Sequence, residues 1–317
     1  MKTEHFFQTM SDGTEIAVNR WIPDGEIKGI VQLSHGMTEH SLRYDTFGKI
    51  LAQEGFVFNA HDHRGHGKTA ERAEEKGTGT FGYLADKNGF EKVVEDLHEV
   101  IEQAKKEYPG KRVMLIGHSF GSFVAQAFIE KYGNTVFACI LLGTAGPRLA
   151  LTRAGRLLIG LYAGIKGKKY RSAAINRMTF GSYNSRIPNA VHAHDWLSRD
   201  TKLVEKCEAD PMCSFIPTLG FFYDMVDGLC RIHTAENMKK ILGTLPLYLM
   251  CGDADPVGDY GKTVQSLYEI YCRNGMKNVR LKIYPGARHE LLNETNRDEV
   301  IKDILDWIRL PEQKLVK

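Results

Sequence analysis

KRVMLIGHSFGSFVAQAFIEKYG, residues 111–133, passes from an apolar strand through a serine bracketed by glycines into a helix. Gly117-x-Ser119-x-Gly121 between a strand and a helix has the spacing of a nucleophile elbow, a sharp turn that holds a serine with strained backbone angles. Gly117 and Gly121 suit such a turn because neighbouring backbone has to pass close to it. A Gly/Ser-rich connection could produce the same letters, but strand, turn and helix in this order favour the elbow.

The flanking chain repeats the same alternation. FFQTM, a turn at Ser11-Asp12-Gly13 and TEIAVNRWI read as a hairpin. IKGIVQLSHG, GFVFNAHD, KRVMLIGHS, VFACILLGTAG, TLPLYLMCGD and VRLKIYPG read as strands. YDTFGKILAQEG, FEKVVEDLHEVIEQAKKEYPG, SFVAQAFIEKYG, GKTVQSLYEIYCRNG and NRDEVIKDILDWIRL read as helices. Strands alternating with helices imply right-handed crossovers, so the fold class is α/β with a mostly parallel, doubly wound sheet. Residues 147–233 break the pattern: no acidic residue occurs between Glu130 and Asp195, and RLALTRAGRLLIGLYAGIKGKKYR is basic and apolar together. This stretch reads as a helical cap inserted after the sixth strand, with a return helix around AENMKKIL. It divides the core into residues 1–146 and 234–317. An insertion at the end of a parallel strand lands on the face where α/β sheets bind ligands.

Bulk composition narrows the class. The chain has 317 residues, is 43% hydrophobic and 26% charged, and carries a net charge of +3. That charge is too small to point to nucleic acid as a partner. The start, MKTEHFFQTMSDG, lacks the apolar core of a signal peptide, and the longest apolar run, VFACILLG, is too short to span a bilayer. The six cysteines, Cys139, Cys207, Cys213, Cys230, Cys251 and Cys272, form no CxxC pair. Free thiols in a reducing cytoplasm are the reading that follows.

A serine hydroxyl needs a base, and the base an orienting carboxylate. Behind a nucleophile elbow the chain order is serine, acid, histidine. Asp253 and Asp255 follow one later strand, and His289 follows the next. His289 is therefore the expected general base. Asp255, farther past its strand end, is the preferred carboxylate, with Asp253 read as a turn or capping residue. Oxyanion donors are expected from the backbone N–H of Phe120 and from the loop LSHGMTEH, at Met37. Glu39 and His40 could contact a substrate headgroup or cap the next helix. His35, His118, and His192 and His194 with Asp195 are read as structural, and Cys251 as core.

HGMTEH (35–40), HDHRGHGKT (61–69), GHSFGS (117–122), GDADPV (252–257) and GARHE (286–290), in that order, resemble the monoacylglycerol lipase and lysophospholipase branch of the α/β-hydrolase superfamily. The resemblance covers nearly the whole chain, including the cap segments HDWLSRD and DPMCSF. It implies an α/β-hydrolase fold and an esterase of single-chain acyl lipids, with Ser119, Asp255 and His289 as triad and Met37 and Phe120 as oxyanion donors. It implies no metal and no organic cofactor. That branch usually has a small residue where Met37 stands and often glycine where Thr38 stands, a departure that concerns the mouth of the acyl pocket. A small-molecule esterase or peptidase, or a non-catalytic homologue, are the competing readings.

HDHRGHGKT could also be a metal site or a phosphate loop. A phosphate loop needs glycine where Asp62 stands, and no second ligand cluster accompanies the histidines. Asp62, Arg64 and His66 are instead expected to hydrogen-bond within the loop and brace the oxyanion region. Arg148, Arg153, Arg156, Lys166, Lys168, Lys169 and Arg171, interleaved with Leu and Ile, could rest on an anionic membrane, or form the solvated face of an ordinary cap helix.

Overall fold

The computed structural model describes residues 1–310. The chain opens with the hairpin of β1 (Lys2–Thr9) and β2 (Glu15–Ile22), followed by β3 (Gly29–Ser34), α1 (Asp45–Gln53) and β4 (Phe56–His61). Next come α2 (Gly67–Glu75), α3 (Gly89–Glu107), β5 (Val113–His118), α4 (Phe120–Tyr132) and β6 (Ala138–Leu142). Between β6 and β7 lie α5 (Leu149–Lys166), α6 (Ala173–Phe180), α7 (Thr201–Ala209), α8 (Leu219–Ile232) and α9 (Ala235–Met238). β7 (Leu247–Gly252), α10 (Lys262–Arg273), β8 (Val279–Tyr284) and α11 (Arg297–Ile308) complete the described chain.

The strands make one eight-stranded sheet in the order β1-β2-β4-β3-β5-β6-β7-β8. β2 pairs antiparallel with β1 and β4, and every other neighbour is parallel. All residues of β3 to β7 are buried, so these strands read as mostly apolar runs rather than alternating ones, with buried Gln32 and Asn59 bonded to each other across β3 and β4. Their side chains still alternate in space. Ile30, Val57, Leu115, Leu141 and Leu249 pack with α3, α4, α8 and α10, whereas Val31, Phe58, Met114, Ile140 and Met250 pack with α1 and α11. Helices cover both faces, as the doubly wound reading requires.

Parallel register brings the carboxyl ends of the strands to one edge: Ser34 opposes Gly117, His118 opposes Leu142, and Gly252 opposes Tyr284. The loops after β3, β5, β7 and β8, which hold every expected site residue, therefore converge there.

Two local readings differ from the sequence expectation. The stretch 61–69 is not all loop, because Gly67, Lys68 and Thr69 already form the first turn of α2. The return from the cap is α8, and the expected helix around AENMKKIL shrinks to the single turn of α9. The Thr218 hydroxyl accepts the N–H of Phe221 and starts α8, which then buries Leu219, Phe222, Met225 and Cys230 at helical spacing. Aromatic and glycine residues, weak helix formers, hid that period.

Candidate active site

Ser119 stands between β5 and α4 with φ 52° and ψ −121°, a region that costs a non-glycine residue about 1–3 kcal/mol. Its surroundings over-determine the conformation. Ser119 N–H donates to Leu142 O at 3.0 Å, and its own carbonyl accepts from Ser122 N–H at 2.8 Å and the Ser122 hydroxyl at 2.6 Å. A Cβ on Gly121 would collide with the Ser34 and His35 carbonyls, and one on Gly117 with the Gly121 carbonyl and Ala125. Ser119 is half-buried while residues 113–118 and 120–126 are buried, so the serine is what the turn presents.

His289 and Asp255 meet beside it. The Asp255 carboxylate is fully buried; Oδ2 accepts His289 Nδ1–H at 2.9 Å and Oδ1 accepts Val257 N–H at 2.9 Å. A proton fixed on Nδ1 leaves Nε2 as the acceptor. Nε2 is buried and has no hydrogen-bond partner among the described residues. The imidazole lies 5.0 Å, centroid to centroid, from His118, the residue before Ser119, and 5.1 Å from Trp196 of the cap. Asp253 is elsewhere: its Oδ1 accepts Gly286 N–H at 2.6 Å and closes the turn after β8.

Phe120 opens α4, so its N–H is one of the donors that a helix cannot satisfy internally. Met37 and Thr38 are half-buried in the loop after β3. A Cβ on Gly36 would come within 3.2 Å of Ser119 Cβ, which places this loop against the elbow. The two backbone segments expected to hold an oxyanion thus flank Ser119. Thr38 has φ 50°, where glycine is favoured. Relief of about 1–2 kcal/mol of left-handed strain, less the extra freedom glycine adds to the unfolded chain, predicts that Thr38→Gly raises stability by up to about 1 kcal/mol. A urea midpoint that falls instead would remove the strain argument.

Glu39 and His40, open between headgroup contact and helix capping, both have protein partners. The Glu39 carboxylate accepts Gly36 N–H, the Tyr44 hydroxyl at 2.8 Å and Arg43 Nη1 at 2.8 Å, and lies 3.0 Å from His118 Nδ1. Burial opposes its ionisation, but His118 and Arg43 outweigh burial and hold it well below the usual carboxylate range. Burial likewise opposes a charge on His118, yet Glu39 lifts that imidazole above its ordinary value. Arg43 also pairs with Glu290 at 2.6 and 2.8 Å, joining this network to the residue after His289. His40 Nε2 meets Asp210 of the cap at 2.9 Å, and its side chain caps no helix.

The histidine-rich stretch connects the site to the frame. Asp62 accepts the N–H and hydroxyl of Ser41, at the end of the loop after β3, and Lys68 N–H at the start of α2. His63 N–H donates to His35 Nε2 at 3.0 Å, and His66 Nδ1 bonds Arg64 O at 2.9 Å. Arg64 departs from the expected local role: it reaches outward to Asp96 at 2.6 and 2.7 Å and to Asp12 at 2.9 and 3.0 Å. His192 and His194 bond Glu208 within the cap. Sequence reasoning missed Glu294, a buried carboxylate that accepts Arg288 N–H and both the N–H and Nε of Arg199, tying the His289 loop to the cap.

A mostly parallel eight-stranded sheet with this elbow is the α/β-hydrolase fold. A carboxyl esterase from Bacillus coagulans, solved in complex with glycerol, superposes with a TM-score of 0.89 at 29% identity, covering all of both chains. Within that class the chain belongs to the family described as Serine aminopeptidase, S33, whose model matches residues 25–296. It is 27% identical over 309 residues to the monoacylglycerol lipase of Mycolicibacterium smegmatis, covering 97% of each chain. It is also 27% identical to the monoglyceride lipase of Homo sapiens, covering 94% of this chain and 88% of that one. The protein is a hydrolase by family.

Proposed function

We propose that the protein is a serine hydrolase of carboxylic esters whose substrates are single-chain acyl lipids, a monoacylglycerol or lysophospholipid. The observation that carries the reading is the Asp255–His289 pair, its Nε2 left without a partner and its ring packed on His118, next in sequence to a strained, half-buried Ser119. In this mechanism Ser119 Oγ attacks the ester carbonyl and passes its proton to His289 Nε2. The N–H groups of Met37 and Phe120 hold the oxyanion. The tetrahedral species collapses, the alcohol leaves with the proton from His289, and an acyl-serine remains. Water, deprotonated by His289, then attacks that ester, and Ser119 recovers its proton as the fatty acid departs. Asp255 keeps the imidazole oriented throughout and stabilises its cationic form. No cofactor enters these steps.

Support for a lipid comes from the cap. α5 buries Ile159 and Ala163 on its inner face, whereas Leu151, Leu157, Leu158, Leu161 and Ile165 stand exposed on its outer side. A contiguous exposed apolar stripe marks an interaction surface. Among the described residues no helix is long and apolar enough to cross a membrane. The stripe is assigned to peripheral contact with an anionic membrane on the cytoplasmic side. Several cap cations are engaged by the protein itself: Arg156 by Asp227, Arg148 by Asp259 and Lys168 by the Asp86 carbonyl. The apolar residues are then the main anchor, and Leu157→Ser, Leu161→Ser and Ile165→Ser together should lower capture by phosphatidylserine vesicles several-fold. Unchanged capture would refute this surface.

The substrate class is tested by hydrolysis of a monoacylglycerol and a lysophosphatidylcholine with the same acyl chain, beside a short soluble ester and a Ser119→Ala control. A preference for either lipid, absent in the control, is expected. Turnover of the short ester alone would reduce the reading to a general esterase, and labelling of Ser119 by a fluorophosphonate without ester turnover would favour a peptidase.

A further inference from the structure

His40, Asp210 and Cys213 come together where the cap meets the oxyanion loop, and the proposed reaction uses none of them. One ligand atom from each lies within 4.8 Å of the other two. His40 follows β3, Asp210 ends α7 and Cys213 lies in the turn beyond it, so the group joins two segments 170 residues apart in sequence. His40 and Cys213 are buried, while Asp210 is partly open to solvent and offers a way in. We infer that this group is a binding site for zinc or a similar thiophilic divalent cation, clamping the cap to the loop that carries Met37.

The donor set is the argument. Imidazole, carboxylate and thiolate are the three zinc ligand types, and bond lengths of roughly 2.0–2.3 Å put tetrahedral ligands roughly 3.5 Å apart. His40 Nε2 and Asp210 Oδ2 are already 2.9 Å apart, so closure asks for side-chain adjustments of about an ångström. Ionised Asp210 and Cys213 together neutralise a divalent cation. Arg43, a neighbouring cation, is neutralised by Glu39 and Glu290 and leaves that balance intact. The backbone on both sides is already joined, since Ser214 N–H donates to Thr38 O at 3.1 Å and Cys213 N–H to Asp210 O at 2.9 Å. Asp210 Oδ1 accepts Met212 N–H at 2.8 Å, which fixes the carboxylate. The fourth position falls to water.

Cobalt(II) titrated into reduced, metal-free protein tests the site, because a cysteine thiolate on cobalt gives a near-ultraviolet charge-transfer band. Wild-type protein should develop the band, saturate at one metal per chain and lose the band to zinc. Cys213→Ser should abolish it. Asp210→Asn should weaken cobalt binding at least tenfold while its thermal unfolding in chelator stays that of a folded protein. Cys272→Ser, which removes the exposed cysteine, should change nothing. The proposal is overturned by a wild-type protein without the band, by a band that survives Cys213→Ser or vanishes in Cys272→Ser, or by unaltered affinity in Asp210→Asn.

Discussion

Ser119→Ala is expected to lower kcat for ester hydrolysis by about 10⁵-fold or more, and Asp255→Asn by about 10⁴-fold, while Asp253→Asn stays within a few-fold of wild type. The first loss follows from removing the nucleophile, after which only oriented binding and the oxyanion donors are left. The second is a tautomer effect. Asp255 Oδ2 accepts the Nδ1–H of His289 at 2.9 Å, and an asparagine amide in that place donates instead. The imidazole then carries its proton on Nε2 and cannot take one from Ser119. Asp253 makes its bond to Gly286 N–H through Oδ1, which asparagine retains. Steady-state kinetics on the three variants, with urea unfolding to show that Asp255→Asn is folded, separates the two aspartates. Asp255→Asn within tenfold of wild type, or comparable losses in both aspartates, would dismantle the assignment.

That Asp255 rather than Asp253 reaches His289 was legible in the sequence, because the distance past a strand end limits how far a side chain can curl back. The sheet was legible for a related reason: strands buried on both faces have to be mostly apolar, and those runs alternate with helices. The Glu39 network was not. Glu39 to Tyr44 looks like a loop with a helix start, and nothing local says that Arg43 bridges to Glu290, 247 residues on. Arg64 is similar, since its carboxylate partners sit 52 residues before and 32 after it. Glu294 reads as one more surface acid until Arg199 and Arg288 are brought to it. Long-range ion pairs have no period, so only the folded chain reveals them. α8 is different: the Thr218 cap and its apolar spacing were present in the sequence, and aromatic residues masked them.

The histidine-rich stretch leads to the other large effect, on stability. His35, His61, His63 and His66 are buried together, with ring centroids of His35 and His63 4.2 Å apart and those of His61 and His63 4.8 Å apart. Burial pushes His61 and His66 down to about 4, and for His66 the Arg64 carbonyl and the Glu39 charge only partly oppose it. His35 and His63 are held well below their ordinary value by burial and by neighbouring imidazoles. Neutrality also has a structural use, because His35 Nε2 can accept His63 N–H at 3.0 Å only without a proton. A histidine whose folded value is depressed contributes stability that is fully present above its unfolded value. That stability is lost as pH falls through the folded one, here between 6.5 and about 4. For His66 the loss amounts to roughly 3 kcal/mol. Burial raises Asp96 to about 6 and Glu130 to about 9, and these groups gain stability over part of the same range. The pH dependence of the wild type alone therefore mixes both signs. Comparison with His66→Asn isolates one of them, since asparagine keeps a donor for the Arg64 carbonyl but does not titrate. Urea unfolding of both proteins from about pH 7.5 to about pH 4 should show the advantage of the wild type shrinking by roughly 3 kcal/mol. Parallel stability curves would mean that His66 does not titrate on unfolding, and that the cluster is no source of acid sensitivity.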